Sequence, residues 1–86
     1  MLGLRYNQLK GAVLEILSGS DEETSLGLLR RLREGGIEVS EKALQMAILR
    51  YYRQGLLSRR RRQGLYRYSI TAKGKGRLEW LRGRSP

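Results

Sequence analysis

The chain has 86 residues, 40% of them apolar, and carries 18 Lys and Arg against eight Asp and Glu, a net charge of +10. With neither Cys nor His it can form no disulfide and no thiolate nucleophile, and it lacks the commonest metal ligand and neutral-pH acid–base group; this removes zinc hydrolases and Ser-His or Cys-His nucleophile systems. This length predicts one domain over residues 1–86, and the lack of an apolar run near the ~20 residues of a membrane span, or of a signal-peptide pattern in MLGLRYNQLK, predicts a cytoplasmic protein.

The first helix is predicted over Asn7 to Leu17, with Asn7 as its N-cap. Leu9, Ala12, Val13, Ile16 and Leu17 recur at helical spacing and make one apolar stripe. Ser18-Gly19-Ser20 ends it, and the acidic triplet Asp21-Glu22-Glu23 reads as a solvated loop or the first turn of the next helix. That second helix starts with Thr24 or Ser25 as cap and runs to Glu34, with Leu28, Leu29 and Leu32 inward. Gly35-Gly36 stops it. Ile37-Glu38-Val39 reads as a very short strand.

The third helix begins at the cap Ser40 and runs to about Gln54. Leu44, Ala47, Ile48 and Tyr51 fall within about 100° of arc and form its buried face. Gly55 stops it, and Leu56-Leu57 returns to the core. Residues 56–70 read as a hairpin with arms LLSRRR and LYRYSI and the turn Arg62-Gln63-Gly64. Tyr66, Tyr68 and Ile70 share one face of the second arm, and both tyrosines, like Tyr51, are expected in the core. Thr71 caps a fourth helix from Ala72 to about Arg82, with Gly74, Leu78 and Leu81 inward. Gly74 and Gly76 each lower its intrinsic stability by ~1 kcal/mol, so packing must hold it.

The charge is lopsided along these elements. Residues 1–54 carry eight basic and seven acidic side chains, whereas residues 55–86 carry ten basic and one acidic, Glu79. A basic patch confined to one third of a small domain is the footprint of a polyanionic partner.

Two stretches carry a resemblance. Thr24 to Leu57 (TSLGLLRRLREGGIEVSEKALQMAILRYYRQGLL) reads as a leucine-rich helix, G-x-x-V-S, a helix and G-L-L. Tyr68-Ser69-Ile70-Thr71-Ala72-Lys73-Gly74 matches Y-x-L-T-x-x-G with Ile70 at the Leu position. In this order, with a basic hairpin between, they resemble the winged helix-turn-helix DNA-binding domains of PadR-like and MarR-like transcriptional regulators. The expected fold is therefore α+β, mostly α: a three-helix core, a short strand, a β-hairpin wing and a C-terminal helix. The resemblance implies a double-stranded DNA-binding protein, a transcriptional regulator and not an enzyme. Helix three would enter a major groove, and the wing would reach phosphates or an adjacent minor groove.

Candidate DNA contacts follow residue by residue. On helix three they are Lys42, Gln45, Arg50 and Arg53; on the wing, Arg59, Arg60, Arg61, Arg62 and Arg67. Guanidinium groups match phosphate oxygens bidentately. Strand alternation points Arg59 and Arg61 to one face and Arg60 and Arg62 to the other, so the four cannot all touch one surface unless the tip twists. The bland alternative is an edge strand protected from aggregation by its charge.

Helix three departs from the pattern. Its solvent arc centres on Lys42, Met46, Leu49 and Arg53, placing two large apolar groups where polar base-reading side chains are expected, and Glu41 in its first turn would repel a phosphate. Met46 and Leu49 either contact thymine methyls, or form a protein interface, or are buried through a one-residue error in the helical phase. Leu2, Leu4, Tyr6, Leu14 and Trp80 lie off the core stripes and are expected to form a homodimer face, since members of the resembled families commonly dimerise through their terminal helices.

No cofactor, metal site or small-molecule effector pocket is expected. Gly74-Lys75-Gly76 lacks P-loop spacing, nothing converges on the acidic triplet, and the apolar face of helix four is too narrow for a membrane surface. The alternative reading is a winged-helix module for protein–protein assembly, or an RNA-bound ribonucleoprotein component.

Overall fold

The two inner helices are delimited by their own sequence. In the computed structural model, which describes residues 6–83, the elements are α1 (Tyr6–Ser18), α2 (Ser25–Glu34), α3 (Glu41–Arg53), β1 (Leu57–Arg62), β2 (Leu65–Ile70) and α4 (Ala72–Gly83). Thr24 caps α2 by accepting from the Gly27 N–H at 3.1 Å, and Ser40 caps α3 by accepting from the Ala43 N–H at 3.1 Å. Both helices end in the same way. After α2, Gly36 takes φ +85°, the Gly36 N–H donates to the Arg33 carbonyl, and the Ile37 N–H donates to that of Leu32. After α3, Gly55 takes φ +79°, and the N–H groups of Gly55 and Leu56 donate to the carbonyls of Tyr52 and Tyr51. Each end is a Schellman motif, with glycine supplying the left-handed residue.

This termination explains a correction. Ile37-Glu38-Val39 does not form a strand. The Ile37 N–H is committed to capping α2, and Arg33 donates to the Val39 carbonyl at 3.2 Å. Ile37 and Val39 instead pack against the core as half-buried side chains. The extra strand-like pairing comes from the acidic triplet: Glu23 exchanges both backbone hydrogen bonds with Tyr68, at 2.9 and 2.8 Å, on the free edge of β2.

The hairpin register runs from Leu57 opposite Ile70 to Arg62 opposite Leu65, leaving a two-residue turn of Gln63 and Gly64. Both take positive φ, +55° and +80°, the type I′ geometry whose twist matches that of the strands. The core comprises Leu9, Val13, Leu14 and Leu17 of α1; Leu28, Leu29 and Leu32 of α2; Leu44, Ala47, Ile48 and Tyr51 of α3; and Leu56, Leu57 and Leu78. The α3 face is therefore buried as its spacing predicts, and Met46 is 55% exposed. The phase-error explanation of the apolar pair is excluded.

Several expectations change. Leu14 is fully buried, because α1 packs against α2, α4 and β2 together and needs a wider apolar arc than one stripe. It is removed from the candidate dimer face. Tyr6 already belongs to α1, so Asn7 lies within the first turn instead of capping it. Leu2, Leu4 and the side chain of Tyr6 lie outside the described residues. Tyr66 is 40% exposed and not a core residue, while Tyr68 does pack against the core. Among the described residues no helix is long and apolar enough to cross a membrane.

α4 joins the body at one tight point. Thr71 donates from its N–H to the Leu56 carbonyl and from its hydroxyl to the Gly55 carbonyl, and its hydroxyl oxygen accepts from the Gly74 N–H. A Cβ on Gly74 would collide with the Leu56 carbonyl oxygen and lie 2.8 Å from the Ile70 side chain, whereas a Cβ on Gly76 would meet nothing. Gly74→Ala is therefore expected to lower stability by about 1–3 kcal/mol through overpacking against backbone. Gly76→Ala should raise it by roughly 0.5–1 kcal/mol through helix propensity. Thermal melts of the two variants, shifting in opposite directions, check both expectations.

Candidate nucleic-acid interface

The wing projects its four consecutive arginines in two directions, as alternation requires. Arg60 and Arg62 turn toward the loop before α2, where both meet Glu22: Arg60 Nε lies 3.1 Å from one carboxylate oxygen and Arg62 Nη1 lies 3.7 Å from the other. Arg59 and Arg61 occupy the opposite face, beside Tyr66 and Tyr68. The Arg59 guanidinium is held between two rings, 4.1 Å from the centroid of Tyr52 and 4.3 Å from that of Tyr66. Arg61 lies 5.6 Å from the Tyr66 ring. Tyr66 and Tyr68 stand side by side at 6.4 Å on that face. Arg59 is thus a brace between α3, which carries Tyr52, and the wing. A guanidinium over aromatic faces gains cation–π attraction while its edge stays open to hydrogen bonding.

Arg67 sits opposite Arg60 on the neighbouring strand, half-buried. The triplet's acids are therefore not simply solvated. Glu22 anchors the wing, and Glu23 joins the sheet through its backbone and pairs with Arg31 at 3.4 Å. These roles have no local sequence signal, since Arg60 and Glu22 are 38 positions apart. Tyr52 gave a weak one, as a large ring just off the buried arc of α3.

Lys42, Gln45, Arg50 and Arg53 are all exposed on α3, but they are not equivalent. The Gln45 amide donates to Glu41 at 3.4 Å. Arg50 leans toward the core side, its guanidinium 5.9 Å from the Tyr51 ring. Between the start of α2, α3 and the wing lies an open cleft of about 490 Å³. Its apolar wall includes Leu26, Leu49, Leu65 and Tyr66, and Leu26 and Leu65 are each more than half exposed. Sequence reasoning missed Leu26 and Leu65, which lie at the beginning of a helix and of a strand, where periodicity carries little information. Trp80 is half exposed on α4 with the Arg77 guanidinium 5.4 Å from its ring.

The Glu22 pairs are accessible to water, and such pairs contribute little to stability. Glu22→Gln is expected to lower unfolding free energy by less than about 1 kcal/mol, while the side-chain N–H signals of Arg60 and Arg62 shift and exchange faster in an NMR comparison. Unchanged arginine signals would mean that the pairs do not persist in solution.

No protein-family model and no curated protein matches the chain. Solved structures do. A PadR family transcription regulator from hypervirulent Clostridium difficile is 18% identical, with 87% of this chain covering 83% of that one at a TM-score of 0.79. A Streptococcus mutans protein is 17% identical over 95% of this chain and 79% of its own, with a TM-score of 0.82. Bacillus subtilis PadR, solved in complex with operator DNA, is 22% identical over 91% of this chain at a TM-score of 0.78, and the match covers 50% of PadR. Four helices and an antiparallel hairpin in this order and arrangement are the winged helix-turn-helix fold, in the form seen in these PadR-family structures.

Proposed function

We propose that the protein binds double-stranded DNA and works as a transcriptional regulator in the cytoplasm, not as an enzyme. The single observation that carries this is the ordered basic wing: four consecutive arginines at a hairpin tip, braced on one face by Tyr52 and Tyr66 and on the other by Glu22. The operator complex of Bacillus subtilis PadR, a protein of the same fold, supports it. In this reading α3 lies in the major groove with Lys42, Gln45, Arg50 and Arg53 toward the DNA, and Arg61, Arg62 and Arg67 reach phosphates beside it. Arg59 contributes mainly by holding the wing at a fixed angle to α3. Arg60 and Arg62 contact DNA at the expense of their pairs with Glu22, which are weak enough to exchange.

Neutralising four to six phosphates gives a slope of log affinity against log salt of about −3.5 to −5.5. Changing Arg59, Arg60, Arg61 and Arg62 to Ala should leave a folded protein that binds all duplexes more weakly by a similar factor, because phosphate contacts carry no base information. A duplex titration at several salt concentrations checks both. A slope shallower than about −1, or full affinity in the folded variant, would overturn the reading.

The second reading is a protein-assembly module, favoured by the exposed Leu26, Met46 and Leu65 around the cleft. Changing Met46 and Leu49 to Ser separates the two. On DNA, base preference should change by about 1–3 kcal/mol at the contacted positions, with wing-dependent non-specific binding retained. A protein interface would instead lose its partner or oligomer at unaltered DNA affinity.

A homodimer using the α4 surface around Trp80 belongs to the same proposal, supported by the exposure of that ring. Sedimentation of the wild type and of Trp80→Ala should show a shift toward monomer at unchanged melting temperature. A wild type that stays monomeric at high concentration removes the dimer.

A further inference from the structure

Single exposed apolar side chains are ordinary on a protein surface, but a convergence of them is not. Of the five large apolar side chains exposed among the described residues, Leu26, Leu65 and Tyr66 line the open cleft of about 490 Å³ between the start of α2, α3 and the wing. A fourth, Met46, stands one turn before Leu49 on the α3 wall of that cleft. They come from three elements, so only the tertiary arrangement brings them together.

The charge beside the cleft is equally one-sided. Arg59 lines it, and Arg61 lies on the same face of the wing. Neither meets a carboxylate among the described residues, whereas Arg60 and Arg62 on the opposite face share Glu22. Lys42 and Arg53 are exposed on α3. The carboxylate in the lining is that of Glu41, at the start of α3, and it accepts from the Gln45 amide at 3.4 Å.

These two features together select the occupant. A duplex offers phosphates to the cations, but the apolar group on its major-groove base edges is the thymine methyl, which gives the leucines of α2 and β2 little to pack against. A second copy would set one arginine wing against another, on chains that each carry +10. An extended or helical protein segment with acidic residues between spaced large apolar side chains meets both the apolar wall and the cationic rim.

We propose that this cleft docks an acidic protein segment through its apolar side chains, and that the segment competes with DNA for the α3–wing face. The competition rests on the DNA-binding reading above; the docking does not.

The test is fluorescence anisotropy of a labelled helical peptide with leucine at every third or fourth position and Glu between, at physiological salt. The wild type is expected to bind it saturably, one per chain. Replacing the peptide's leucines by Ser, or its Glu by Lys, should each abolish binding. Leu26→Ser with Leu65→Ser should weaken it about tenfold or more at unchanged melting temperature, since both side chains are exposed. Met46→Ser, at a separate position, should weaken it about threefold. Arg61→Gln should cost about two- to fivefold, while Arg60→Gln with Arg62→Gln, on the other face, should leave binding within about twofold of the wild type. No saturable binding by the wild type, equal binding of the Ser peptide, full binding by the folded leucine and Met46 variants, or equal losses from the two wing faces overturns the docking. These measurements contain no DNA, so a chain that binds peptide and no duplex fails only the function proposed above. Added to a preformed duplex complex, the peptide should release the DNA, and a stable three-component complex would overturn the competition.

Discussion

Gly74 lies so close to the Leu56 carbonyl that a side chain cannot stand between them, and much of the architecture follows from that approach. The Schellman turn after α3 leaves the Gly55 and Leu56 carbonyls facing outward, and Thr71 takes both, one through its hydroxyl and one through its N–H. The two ends of the hairpin are thereby tied at one junction, with Leu57 opposite Ile70 as the first rung. Because the junction also starts α4, the same contact sets the wing relative to α3 and the last helix relative to α1. The glycine that lowers the intrinsic propensity of α4 is what permits its placement.

From that root the wing is held on both sides. On one face Tyr52 and Tyr66 sandwich Arg59; on the other Glu22 receives Arg60 and Arg62; along its free edge Glu23 adds a third, one-residue strand. A two-stranded ribbon alone is marginal in water. These braces allow a tip made almost wholly of arginine to keep a defined direction despite its own repulsion. The arrangement also divides labour among the arginines, since a guanidinium between rings is positioned, while one that meets Glu22 from a largely exposed side chain exchanges readily.

The positive charge is distributed over more than the wing. Lys73 and Arg77 lie together near the end of α3, whereas the cleft between α3 and the wing is apolar along much of its wall. The face formed by α3 and the wing is thus mixed in character, with Leu26, Met46, Leu65 and Tyr66 exposed among the cations. Cations there supply attraction that falls with salt, and apolar groups supply attraction that does not.

Features set by neighbours along the chain are legible in the residues alone. Thr24 and Ser40 cap because a hydroxyl can reach an N–H three residues on, Gly36 and Gly55 end helices because glycine accepts a left-handed backbone, and the α3 core face follows from a 100° repeat. The alternation of the wing arginines is equally local. Other features arise between residues far apart in the chain. Leu14 is core because α1 is flanked by several elements, a fact invisible to the pattern of one helix. Ile37 is no strand because its N–H is spent on the cap, and the strand-like pairing passes to Glu23 because β2 happens to lie beside it. Glu22 becomes the anchor of Arg60 across 38 positions, and Tyr66 is no core residue because it lines the open cleft between α3 and the wing. Each reverses or extends a local reading for one reason: burial and pairing depend on which elements become neighbours, and one element's periodicity does not encode what will lie on its other side.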